Sequence, residues 1–84
     1  MITARQTRAA RALLGWTQET LAEKALVSLT ALKRLESSSD LKVFESTFDQ
    51  VRRALEGAGI VFLNSGQGEG VMIVHAKDES AQAG

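Results

Sequence analysis

Few residues in this chain are equipped for covalent chemistry, and their spacing argues against it. The single histidine, His75, has no second ligand-type residue at metal-binding spacing, and cysteine is absent. Neither a metal centre nor a thiol nucleophile is therefore expected. The serines at 37–39 have no base near them in the sequence. The segment Gly66-Gln67-Gly68-Glu69-Gly70 has the glycine content of a phosphate-binding loop. Such loops lead into a helix whose N-terminus receives the anion, whereas β-type runs flank this one on both sides. A mobile turn is the better reading. No enzymatic activity, metal or cofactor is expected.

The residues that can do non-covalent chemistry lie in TQETLAEKALVSLTALKRLE, residues 17–36. Thr17 is an N-cap for a helix that turns Leu21, Ala22 and Ala25 inward and Glu19, Glu23 and Lys24 outward. Ser28 caps a second helix reaching Glu36 or Ser37. Its Ala31, Leu32 and Leu35 face one way, and Leu29, Thr30, Lys33 and Arg34 face the other. Two helices crossing closely need a small residue at the contact, which Ala22 supplies, and apolar inner faces, which Leu21, Ala25, Val27, Leu32 and Leu35 supply. Such a pair can lay its second helix in the major groove of DNA while the first crosses the backbone. Leu29, Thr30, Lys33 and Arg34 are the base-reading candidates, with Leu29 suited to a thymine methyl. Thr17, Gln18, Ser28 and Arg8 are the phosphate candidates. One position resists. The hinge between the helices favours glycine, yet Leu26 occupies it. A left-handed backbone there costs roughly 1–2 kcal/mol for a branched residue, offset in part if the side chain packs.

The chain has 84 residues and a formal net charge of zero, but the charge is unevenly spread. Residues 1–36 carry Arg5, Arg8, Arg11, Lys24, Lys33 and Arg34 against Glu19, Glu23 and Glu36, a net of +3. The remaining residues carry the balancing −3. Phosphate binding depends on the local field, so the basic end is the one to watch. This length makes one small domain, which without disulfides must rely on tight helix packing or oligomerisation. The arginines near the N-terminus lie inside the apolar pattern, so no secretory leader is expected. No apolar run approaches the roughly 18 residues of a membrane span. A reducing cytoplasmic setting fits this composition.

Positioning elements follow from the pattern. Thr3 and Gln6 form a capping box for a helix over about 4–14, closed by Gly15. Ala9, Ala12 and Leu13 share one face of it, and Arg8 and Arg11 share the other. Ser37-Ser38-Ser39-Asp40 is a loop, and Leu41, Val43 and Phe44 form an apolar docking segment. Ser46 with Asp49 predicts a second capping box, opening a helix to about Glu56 with Phe48, Val51 and Leu55 inward. Ile60, Val61, Phe62 and Leu63 and then Val71, Met72, Ile73 and Val74 are β-rich runs around the glycine-rich tip, a hairpin. Because both runs are apolar at every position, burial on both faces is expected. The helices can cover only one face, so these eight residues are the expected dimer interface. The fold class is mostly α: a four-helix domain over 1–59 with its helix pair at 17–36, a β-hairpin over 60–75, and a flexible tail over 76–84.

ARALLGWTQETLAEKALVSLTALKRLE is similar to the pattern R-x-L-x-G-x-[ST]-Q-x-x-L-A, then A-G-V-S and an apolar-spaced recognition helix. That is the pattern of the Cro/C1-type (phage-repressor-like, XRE) helix-turn-helix family, which residues 4–36 resemble. Ala54-Leu55-Glu56-Gly57-Ala58-Gly59-Ile60 likewise resembles the A-L-E-x-A-G ending, followed by a strand, of small bacterial members. The resemblance implies a lambda-repressor-like domain and a bacterial or phage transcriptional regulator binding a short palindromic operator in double-stranded DNA as a homodimer. It implies a phosphate contact at Gln18 and base contacts at Leu29, Thr30, Lys33 and Arg34. The competing expectation is a protein-interaction module on the same fold, an antitoxin or adaptor whose apolar hairpin holds a partner protein.

Overall fold

The computed structural model describes residues 2–37 and 43–75. Four helices precede one hairpin: α1 (Ala4–Leu14), α2 (Gln18–Ala25), α3 (Leu29–Glu36), α4 (Glu45–Gly57), β1 (Ile60–Ser65) and β2 (Gly68–Ile73). The core is built from Leu21, Leu32, Leu35, Val51, Leu55 and Ile60, with Ala10, Ala22 and Ala25 where backbones approach. Each fully buried leucine contributes about 1.5–3 kcal/mol. Ile60 belongs to this core, so the hairpin is continuous with the helices. No helix among the described residues is long and apolar enough to cross a membrane.

The first helix starts and stops as its sequence predicts. Thr3 accepts from the Gln6 N–H, Gln6 accepts from the Thr3 N–H, and Gly15 closes the helix at φ 70°. Its inward face differs from expectation. Ala9, Ala12 and Leu13 are exposed, and Gln6, Thr7 and Ala10 are buried. The cause is hydrogen bonding. Gln6 Nε2 donates to the carbonyls of Leu63 (3.2 Å) and Gly70 (2.9 Å), and Thr7 donates to the Thr3 carbonyl. These polar side chains are satisfied inside the fold, so hydrophobicity alone misplaces the face.

Thr17 and Ser28 cap α2 and α3 through the N–H groups of Thr20 and Ala31. Between the helices Leu26 takes φ 59°, ψ 42°, and the Val27 N–H closes back onto the Ala22 carbonyl. The Leu26 side chain is 83% exposed, so the expected compensation by packing is absent.

The start of α4 is a correction. No side chain caps it, and Ser46 lies inside the helix. The Phe44 carbonyl receives the N–H groups of Thr47 and Phe48, while Asp49 pairs with Arg52 and Arg53. Docking of Val43, with Thr47, Val51 and Leu55 buried at helical spacing, sets the start two residues earlier than the box would. Val43 packs on the core as expected of a docking segment, but Phe44 is 78% exposed. The expected loop at 38–40 and the tail at 76–84 fall outside the described residues, as does Leu41.

The hairpin extends further than the apolar runs. Pairing continues through Asn64↔Glu69 to Ser65↔Gly68, leaving Gly66 and Gln67 as the turn. The glycine-rich tip is therefore mostly strand. Glu69 accepts from Thr3 Oγ1 and pairs with Arg5 at 3.0 Å, which fastens this end of β2 to α1. At the other end Gly59 has φ 104°, and a Cβ there would stand 2.8 Å from the Val74 carbonyl oxygen. Burial alternates along the strands. Ile60, Phe62, Val71 and Ile73 pack on the helices, whereas Val61, Leu63, Met72 and Val74 are 38–50% exposed.

Among the described residues the buried charged side chain is Glu36, at 4% exposure. Arg11 meets it with two parallel bonds of 2.8 Å, Gln18 Nε2 donates to it at 3.0 Å, and Arg8 donates to its backbone carbonyl. Arg11 also reaches the Trp16 carbonyl. One carboxylate thus joins α1, α2 and α3.

Two stability outcomes follow from these sites. Leu26→Gly should stabilise by about 0.5–1 kcal/mol, because relief of left-handed strain exceeds the added chain entropy. Thermal unfolding should then shift upward by about 2–8 °C. A large fall would show that Leu26 packs. Removing Arg11 alone by Arg11→Met should cost about 3 kcal/mol, since it strands a buried carboxylate. The double change Arg11→Met/Glu36→Leu should recover at least half of that in denaturant unfolding. Equal losses in both would refute a desolvation origin.

Candidate nucleic-acid interface

The candidate interface comprises α3 and the N-terminal end of α2. Leu32, Leu35 and Glu36 are buried, which fixes the rotation of α3. Thr30, Lys33 and Arg34 are then exposed on the opposite side. Leu29 is not part of an open face: it is half-buried and packed against the core. With a 3.6-residue period, Lys33 shares a row with Leu29, and Arg34 shares a row with Thr30.

Beside α3, α2 presents its first turn. The Thr20 and Leu21 N–H groups are taken by the side chain and carbonyl of Thr17. Those of Gln18 and Glu19 have no acceptor among the described residues. A helix start with free N–H groups suits a phosphate oxygen. The Gln18 side chain is only half available, because its amide N–H already binds Glu36. Ser28 is exposed, with its oxygen accepting from Ala31.

The basic end looks different once each charge is traced. Arg5 pairs with Glu69, and Arg11 with Glu36. Arg8 is bonded to the Glu36 carbonyl, and the Lys24 ammonium sits 5.5 Å from the centroid of the Trp16 ring. The Arg11 guanidinium is held above its ordinary range, chiefly by its hydrogen bond to Glu36 and against the opposing effect of burial. Lys33 and Arg34 alone, among these six cations, have no partner among the described residues. Both project from α3.

Sequence reasoning missed Glu36 and Gln6 as organising residues. Arg11 and Glu36 are 25 positions apart, and Gln6 and Gly70 are 64 apart. No local spacing signals either pair. A glutamate ending an otherwise apolar inner face was the only available hint.

Elsewhere the surface offers little for chemistry. An open groove of about 550 Å³ beside the start of α4 is lined by Ile2, Glu45, Ser46, Phe48, Asp49 and Arg52. Among the described residues, no group of three or more His, Cys, Asp and Glu is arranged to hold a metal. His75 is exposed just beyond β2.

A comparison with curated proteins gives no match. A family model described as helix-turn-helix matches residues 8–42, from within α1 through α2 and α3. The matched span contains the capped helix pair, its hinge and the cationic face of α3. Residues 8–42 therefore match the helix-turn-helix family, in line with the Cro/C1-type (XRE) resemblance of the sequence.

Proposed function

We propose that this chain is a sequence-specific transcriptional regulator that binds a short palindromic operator as a homodimer, with α3 in the major groove. One observation carries the reading. Four of the six cations in residues 1–36 are engaged internally, and the two without a partner among the described residues project from the helix that this fold offers to DNA. Thr30, Lys33 and Arg34 face the base edges and groove wall, while the α2 N-terminus, with Thr17, Gln18 and Ser28, meets phosphates. Leu29 and Arg8 contribute by packing and by fastening α3. Binding would place the protein with the chromosome in the cytoplasm.

The homodimer rests on the hairpin. Its outer face presents Val61, Leu63, Met72 and Val74, and the remaining outward positions are Ser65, Gly68 and Gly70. The face carries no charge, so a two-fold contact with a second copy brings no like charges together. Half of the eight apolar strand residues thus serve the chain's own core, and half are available to a partner. The same face would serve an adaptor or antitoxin, and oligomeric state separates the two readings.

Lys33→Ala with Arg34→Ala should weaken operator binding by roughly 1–3 kcal/mol for each base that α3 no longer reads, measured by titration at fixed salt. Retained affinity in the double variant would exclude α3 as the reading element. In sedimentation the wild-type chain should be a dimer, and Leu63→Glu with Met72→Glu should make it a folded monomer. A monomeric wild type would instead favour the adaptor reading.

A further inference from the structure

We infer that α3 reads guanine through Arg34, with a thymine methyl met by Thr30 about two base pairs away, so that each half-site is built on guanine and not on adenine. The inference deepens the DNA-binding reading above and rests on it.

Its basis is the chemistry that α3 leaves exposed. The helix is LTALKRLE, with no asparagine or glutamine. Adenine is read by a side-chain amide that donates to N7 and accepts from N6, and α3 has none. The neighbouring amide, Gln18, has its N–H side held by Glu36. Cytosine is read by a carboxylate accepting from N4, and the one carboxylate of α3, Glu36, is buried and bonded to Arg11. What remains is a set of donors and a methyl group. Guanine presents two adjacent acceptors in the major groove, O6 and N7, which a guanidinium matches with two parallel bonds.

The row structure of α3 chooses between the two cations. Arg34 lies one turn beyond Thr30, and both are exposed. Lys33 lies one turn beyond Leu29, which is half-buried against the core, so Lys33 stands nearer the edge of the face. Arg34 is therefore the central reader, and Lys33, a point charge at the rim, meets phosphate. A four-residue step along the helix is roughly 6 Å. That spans about two base-pair steps of roughly 3.4 Å. The Thr30 methyl then falls on a pair about two steps from the guanine.

The test uses the full chain and duplexes that it selects from a random pool at fixed salt. The half-site is then resynthesised with 7-deazaguanine, which lacks the N7 acceptor. Selected half-sites should contain guanine, and the 7-deaza substitution should weaken wild-type binding at least fivefold. Arg34→Ala should bind both duplexes equally, whereas Lys33→Ala should keep the preference for normal guanine and lose affinity uniformly. Thermal unfolding checks that both variants remain folded. Tight binding that is indifferent to 7-deazaguanine, or a preference that survives Arg34→Ala, overturns the guanine assignment while leaving DNA binding intact. Failure to retain any duplex above background overturns DNA binding and this inference with it.

Discussion

A carboxylate taken out of water organises this small domain. Glu36 stands at the end of α3, at 4% exposure, and an isolated charge there would be untenable. The remedy is geometric. Arg11 supplies a bidentate partner from α1, and Gln18 supplies a further donor from the first turn of α2. Arg8 holds the adjoining backbone carbonyl. Such a network adds little net stability relative to an apolar replacement, but it tolerates few arrangements. Its role is to fix how three helices sit together, including how far α3 is rotated.

That specificity matters because the apolar core is small and the hinge is strained. Leu26 holds a left-handed backbone with its side chain in solvent, so neither packing nor chain flexibility favours the turn. The surroundings must enforce it. Leu21, Ala22 and Ala25 on one side and Leu32 and Leu35 on the other are all buried, and Val27 bonds back to Ala22. A marginal domain carries a strain of this size only when its helix pair is tightly constrained.

Much of this was legible in the sequence, and the exceptions share a cause. Caps at Thr3, Thr17 and Ser28 were readable because a capping bond spans three residues. The helix pair was readable because burial at 3.6-residue spacing leaves a local pattern. The buried face of α1 was not readable, because Gln6 and Thr7 are inside only by virtue of partners, and for Gln6 those lie in the distant hairpin. The start of α4 was misread for the same reason: Ser46 and Asp49 satisfy the local rule, but tertiary docking of Val43 and Thr47 sets the boundary. In the candidate site, the exposure of Thr30, Lys33 and Arg34 was readable and the half-burial of Leu29 was not. Counting charges also overstated the free ones, since pairing across the fold consumes most of them.

The two polar anchors of α1 carry a further consequence. Gln6 bonds to both strands of the hairpin, and Arg11, five residues later, bonds to the end of α3. Five residues of helix are a rigid spacer of roughly 7.5 Å. The hairpin and α3 are therefore referenced to the same rod, and neither can shift without disturbing a buried polar group. In a dimer built on the outer hairpin face, the separation of the two α3 helices would depend on this spacer in each copy. Recognition of a palindrome demands a fixed separation between half-sites. Polar anchors suit that demand better than apolar contacts, because a hydrogen bond fails over a displacement that a packed methyl group tolerates.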